Sequence, residues 1–348
     1  MPNDLVKVDF QDLLDHCGGQ LTEAGLPPGA AREAAEALLD ADLRGLVSHG
    51  IAMLPIYLEG LRRGSVSPRT SAEVVGDSGA LVILDAGHAL GQLTSGQAVG
   101  LAVERARRGG IAAVGVRHGH HFGAASTWSI RVAEAGLLGI AMSNSAPLMA
   151  APGGSRAVVG NNPLSIAARD DLGRLVVADL ASSAGSLAKI RAAQRSGAPI
   201  PPGWALDRAG RPTLDPGEAL RGTLAPVGGA KGFALALLIE VLTGVLTGGP
   251  SGGDVVRFSV ELDKPNNCAH LFVAIDPAAV GLGAAVAEGV RALAADIEDE
   301  TSVSGPAGRL PGRWRLDLAA EQRRSGVGVE RRTLEQLHWS RTTHDARN

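Results

Sequence analysis

Residues 80–116, ALVILDAGHALGQLTSGQAVGLAVERARRGGIAAVGV, decide the fold class. ALVILDA at 80–86 and IAAVGV at 111–116 are apolar runs of strand length, rich in β-branched residues. Between them the Ala-rich segment 95–108 has helical spacing, with Ser95 as its candidate N-cap. Strand, helix and strand in that order predict an α/β unit. The alternation continues downstream. Across 117–136 a Gly- and His-rich turn, RHGHHFGAA, runs into a helix, and strands are expected at 137–144, 164–168, 175–180 and 270–276. Loops at the ends of such strands are where α/β proteins place polar chemistry.

Upstream, the pattern is helical. Asp9 is a candidate N-cap for a helix over 9–24 with Leu13, Leu14 and Leu21 on its inner face. After Pro27, Pro28 and Gly29, a second amphipathic run carries Ala31, Ala35, Leu38, Leu39, Leu43 and Leu46 towards ADLRGLVSHGIAMLPIYLEGL at 41–61. Gly45 and Gly50 predict a break around Ser48 and His49. A histidine titrates near neutrality, and a neighbouring hydroxyl can orient it or bind a substrate oxygen. An isolated Ser-His pair is nevertheless more often structural than catalytic. The division that follows is a helical unit over 1–65, joined by 310–348, an α/β unit over 66–120 with 280–310, and a second α/β unit over 121–279.

With 348 residues, the chain is long enough for two or three domains. Its 33 basic and 36 acidic residues leave no whole-protein field that would hold a polyanion, so nucleic acid is not an expected partner. Cys17 and Cys268 are far apart and lack metal-site or disulfide spacing. The N-terminus has no apolar core of signal-peptide length, and no run of 18 apolar residues occurs, so a cytoplasmic protein without a membrane span is expected.

Several familiar motifs fail on inspection. Gly281-Leu-Gly-Ala-Ala-Val286 places valine at the last glycine of a Rossmann fingerprint and begins too far from its strand. GGAKG at 228–232 lacks the spacer and the hydroxyl residue of a P-loop, yet a lysine at a glycine-rich helix N-terminus can seat an anion. A tight turn with a surface lysine fits the same residues. The helix after it, FALALLIEVLTGVLTG, is apolar on every side and is expected to be buried. His118, His120 and His121 have no carboxylate or thiol at ligand spacing, so no metal is expected. No Ser stands in a G-x-S-x-G turn.

The fragments ADLRG, SHG, HHFGAA, GLLGIAMSNS, GNNP, D-x-A-S-S, IPPGWALD, GGAKG and FVAIDP occur in one order along about 8–325. Together they resemble the type 2 malate/L-lactate dehydrogenase family, which includes ureidoglycolate dehydrogenases, sulfolactate dehydrogenases and reductases of piperideine- and pyrroline-2-carboxylate. The resemblance implies an NAD(P)-dependent oxidoreductase using NADPH or NADH on a small keto compound or cyclic imine. It also implies an α/β, non-Rossmann NAD(P)-binding fold of the sulfolactate dehydrogenase type with a helical N-terminal domain, and a homodimer.

By that resemblance Ser48 and His49 are a proton-relay pair with Asp179 near it, and either His49 or His121 is the acid/base. Cofactor contacts are implied at His121, Phe122, Gly123 and Ala124, at Asn144, Ser145 and Asn162, at Asp179, Leu180 and Ala181, and at Lys231 and Gly232. Met53 and Tyr57 fall in the implied substrate pocket. Members usually read SHG-x-x-R, and Met53 stands where that arginine would clamp a substrate carboxylate. Val47, Ala188, Arg313 and the lone aromatic Trp128 are further departures. An ordinary 2-hydroxy-acid dehydrogenase would need a replacement arginine, with Arg44 and Arg156 as candidates. A scaffold turned to cofactor-independent chemistry or binding is the other reading.

Overall fold

The strands Leu81–Asp85 and Ile111–Gly119 lie parallel, with Leu84 opposite Val116, and the helix Gly91–Gly109 carries the chain between them. The structure is a computed structural model that describes residues 5–299 and 310–339, so the parts of the three expected units at 1–4, 300–309 and 340–348 lie outside the described residues. That parallel pair belongs to a seven-stranded mixed sheet ordered Glu73–Asp77, Leu81–Asp85, Ile111–Gly119, Cys268–Ile275, Leu138–Ser143, Leu164–Arg169 and Leu175–Leu180. The central strand, Cys268–Ile275, arrives from far downstream and runs antiparallel to both neighbours. Its apolar residues face both layers, as a strand buried on two sides requires.

One face of the sheet is covered by Gly91–Gly109 and Ala125–Glu134 over a core of Val82, Leu84, Val114, Val116, Trp128 and Phe272. The first of these helices begins at Gly91, not at Ser95. Leu90 holds the cap position without a side-chain hydrogen bond, and Ser95 is buried one turn in. The early start has a steric cause. A Cβ at Gly91 would fall 2.2 Å from the His120 carbonyl oxygen, so the helix opens where glycine lets another backbone segment pass.

The helices Phe10–Glu23, Pro28–Leu43 and Leu54–Arg63 bury Leu13, Leu21, Leu38, Leu39, Leu43 and Leu54 together. Asp9 caps the first of them by accepting from the Gln11 and Asp12 amides. Val327 and Val329 enter the same core from the strand Val327–Glu330, which pairs with Leu5–Val8. The helix Arg313–Ser325 is tied to this unit by Gln322, whose Nε2 donates to the carbonyls of Asp42 and Leu43 at 3.1 and 2.9 Å. A small sheet, Ala205–Leu206, Thr223–Leu224, Met149–Ala150 and Ala157–Val159, packs over Ile190 and Ile200.

The apolar segment after GGAKG forms the helix Ala230–Glu240 and then a wide turn of π type over Val241–Val245. It is buried on one side only. Ala236, Ile239, Glu240, Thr243 and Gly244 face the sheet, while Leu238 and Val245 remain 59% and 58% exposed, with Leu237, Val241, Leu242 and Leu246 beside them. The sequence expectation of a buried helix fails because periodicity cannot say whether the second apolar face meets the same chain.

Candidate active site

Between the helices Pro28–Leu43 and Leu54–Arg63 the chain makes two short turns, Val47–His49 and Ile51–Met53, separated by Gly50. Asp42 builds this corner. Its buried carboxylate accepts from the Ile51 amide at 2.7 Å, and a Cβ at Gly50 would lie 2.2 Å from it, so only glycine admits the approach. Burial pushes the Asp42 carboxyl up to about 7, against the amide's opposing pull. The corner presents Ser48 and His49, whose Oγ and Nδ1 are 2.9 Å apart. Burial lowers the His49 pKa; Asp179 opposes that shift and Arg315 adds to it.

His121 comes from the loop after Ile111–Gly119 and stacks between His49 and Phe258, at centroid distances of 5.6 and 4.9 Å. Gln92 Nε2 lies 3.3 Å from the Tyr57 hydroxyl, and that hydroxyl shares a hydrogen bond of 2.6 Å with His121 Nδ1. Burial first, then the neighbouring histidines, hold His121 well below the ordinary histidine range. Behind it, buried His120 and His270 are pushed down to about 3 and about 4, so they stay neutral and structural. His270 accepts or donates at Ser143 Oγ and reaches the His120 carbonyl at 3.1 Å, while its ring stacks on Phe122 at 4.5 Å.

These groups wall a cavity of about 520 Å³, a size within the range of roughly 300–1,000 Å³ usual for ligand sites. Ser48, His49, His121, Phe122, Gly123 and Ala124 line it, as do Asn144, Ser145, Asp179, Leu180 and Ala181. Asn162 stands behind the wall, fully buried, where its Oδ1 accepts from the Ser145 amide at 3.0 Å. Lys231 and Gly232 do not line the cavity: Lys231 is exposed, and Gly232 is packed where a Cβ would strike the Val227 carbonyl oxygen at 2.1 Å. Met53 and Tyr57 do not line it either. Met53 packs on the helical core, and Tyr57 acts from behind through His121. Of the arginines considered as replacements, Arg156 is exposed elsewhere, and Arg44 is buried just behind the wall.

Sequence reasoning missed three lining arginines, Arg191, Arg257 and Arg315, together with Phe258. No ion pair engages any of the three among the described residues. Asp179 is the carboxylate in the same lining, and its field reaches Arg315. Two helices, Ala125–Glu134 and Leu187–Ser196, also begin at the cavity, the first without a side-chain cap, so amide N–H groups and helix dipoles add to the positive field. Glu240 was missed as well. It accepts from Asn144, Asn162 and the Gly252 amide at 3.1, 2.7 and 2.8 Å, and a single acid in an otherwise apolar helix was the available signal.

The sequence matches the model of the malate/L-lactate dehydrogenase family over residues 8–338. It is 37% identical to a (2R)-3-sulfolactate dehydrogenase (NADP(+)) of Chromohalobacter salexigens over 302 residues, 87% of this chain and 88% of that protein. It is 32% identical to a delta(1)-pyrroline-2-carboxylate reductase of Burkholderia multivorans, covering 91% and 92% of the two chains. Among solved structures, the sulfolactate dehydrogenase of Methanocaldococcus jannaschii superposes with a TM-score of 0.90 at 30% identity, covering 95% of both chains.

Proposed function

The chain belongs to the malate/L-lactate dehydrogenase family, and on that premise we propose that its cavity serves NAD(P)-dependent hydride transfer to or from a small keto compound or cyclic imine. The observation that carries the reading is the union, in one cavity, of a neutral histidine pair with an excess of positive charge, three arginines against Asp179. The residues fit a nicotinamide nucleotide. Gly123 lines the cavity with φ +82°, a conformation that suits glycine, and the two helix N-termini with Arg191 and Arg257 suit its phosphates. When bound, the nucleotide supplies or accepts the hydride.

The chain's own residues handle the proton. His49 is the acid/base of this reading, because Asp179 raises it whereas His121 is lowered further by three other histidines. His121, held by Tyr57 through Nδ1, keeps Nε2 for a hydrogen bond with the reacting oxygen or nitrogen. Ser48 holds the His49 ring through Nδ1. Calorimetric titration with NADH and NADPH, followed by nicotinamide absorbance against 2-oxo acids, their esters and cyclic imines, tests the assignment. Binding of neither nucleotide would refute it.

The exposed stripe Leu237, Leu238, Val241, Leu242, Val245 and Leu246 supports assembly of two copies. A self-complementary apolar face is what a two-fold interface needs. Sedimentation of the wild type should give a dimer, and the double variant Leu238→Glu, Val245→Glu a monomer; a monomeric wild type overturns this. No described helix is long and apolar enough to cross a membrane. A cytoplasmic location is supported by the two free, buried thiols, Cys17 and Cys268.

A further inference from the structure

Arg315 is fixed on the cavity wall from three sides. The residue before its helix, Gly312, has φ +78° and touches the strand Leu175–Leu180, where a Cβ would fall 2.6 Å from the Val177 carbonyl oxygen. The far end of the helix is held by Gln322 on Asp42 and Leu43. The guanidinium itself donates through Nη1 to the Arg44 carbonyl at 3.0 Å and lies 4.2 Å from the centre of the Trp314 ring. One of its five N–H groups is used, and the rest of the fork has no carboxylate in ion-pair range among the described residues.

Behind Arg315 lies a hollow of about 70 Å³, with Arg44, Ser126, Asp179 and Arg315 in its wall. Arg315 and Asp179 also line the main cavity, so the two spaces adjoin. Arg44 is 3% exposed; its Nη2 meets Asp40 and Thr127, but its Nη1 has no hydrogen-bond partner. A buried charged N–H left unpaired is costly, so an acceptor oxygen belongs beside it. Asp40 pairs with Arg44, so the unpaired guanidinium of this corner is that of Arg315, with Asp179 as the carboxylate in the same wall. The space exceeds the roughly 10–15 Å³ that a single water needs. Of the three lining arginines, Arg315 is the one whose field reaches His49.

We propose that Arg315, backed by Arg44, seats the acidic group of the substrate, a single carboxylate or similar monoanion, beside His49. The inference rests on the functional reading above. The anion's two oxygens would meet the planar fork of Arg315, a geometry that a lysine cannot reproduce. Its charge would meet the unpaired guanidinium of Arg315, and Asp179 would disfavour a dianion there.

Oxamate, an unreactive monoanion shaped like a 2-oxo acid, is the probe. It is titrated calorimetrically into the wild type, Arg315→Gln and Arg315→Lys, each with and without NADH or NADPH. Arg315→Gln should weaken oxamate by roughly 10- to 100-fold, the scale of lost charged hydrogen bonds. Arg315→Lys, which keeps stem and charge and guards against a folding defect, should recover only part of the loss. Nucleotide affinity should stay within about twofold in both. Wild-type oxamate affinity in either variant, or no oxamate binding by the wild type, overturns the proposal. Arg315-dependent oxamate binding in a protein that takes neither nucleotide would refute the functional reading and leave this one standing.

Discussion

Replacing Asp42 by Asn should make the protein more stable at alkaline pH. The side chain is buried, and the oxygen that accepts from the Ile51 amide at 2.7 Å survives in the amide. What disappears is the buried charge. The Asp42 carboxyl rises from 3.8 to about 7 on folding. A group whose folded pKa is raised favours the folded state fully below its unfolded pKa and loses that contribution as pH rises through the folded value. At about 1.4 kcal/mol per unit, some three units amount to about 4 kcal/mol, all of it charged against the wild type above about pH 7. Part of this is already lost by pH 5, so the stability gap between variant and wild type should widen by about 3 kcal/mol between about pH 5 and about pH 8.5. Urea unfolding followed by circular dichroism at both pH values measures it, with equal slopes as the check on comparable unfolding. A gap of the same size at both would refute the reasoning. It would mean that Asp42 folds as a carboxylate with its charge already balanced.

Two further outcomes follow from the site. In the oxidative direction His49 must be neutral; burial lowers its pKa below 6.5, so kcat/KM should stay level as pH falls through that value and decline only at more acidic pH. A stopped-flow profile with its midpoint at or above 6.5 would remove His49 from the role. Gly91→Ala should cost about 1–3 kcal/mol by overpacking, because the new Cβ meets the His120 and His121 carbonyl oxygens at 2.2 and 2.6 Å. Thermal unfolding and nucleotide calorimetry should both register it, and an unchanged melting temperature would show that the loop yields freely.

What the sequence made legible was local. The Asp9 cap, the glycine break at Gly45 and Gly50 and the apolar runs of the sheet each depend on a few neighbouring residues, so they could be read before any partner was known. Order along the chain then tied those fragments to a family. Pairing was another matter. An apolar run such as Cys268–Ile275 carries no label naming its neighbours, and its insertion between Ile111–Gly119 and Leu138–Ser143 is a tertiary result. The same limit hid Glu240, whose partners lie on two other segments, and the outer face of Ala230–Glu240, whose exposure depends on what the rest of the chain leaves uncovered. Arg44, the candidate replacement arginine close to His49 in sequence, is buried just behind the wall. Arg315 stands beside it because the chain's last helices return to the first.

That return also gives Asp179 two opposed duties. It is the carboxylate on the cavity wall, and it raises His49, which makes the imidazole easier to protonate and so favours delivery of a proton to the substrate. The same charge lies beside Arg315, where it reduces the pull on an incoming anion. Weakening Asp179 would therefore strengthen anion capture while withdrawing support from the protonated histidine. Because Arg315 lowers His49, an anion seated on Arg315 would screen that effect and move His49 upward. Substrate binding would itself ready the proton donor. The arrangement couples the charge of the substrate to the protonation of the residue that reacts with it, through a corner assembled from residues 42–49, 179 and 315.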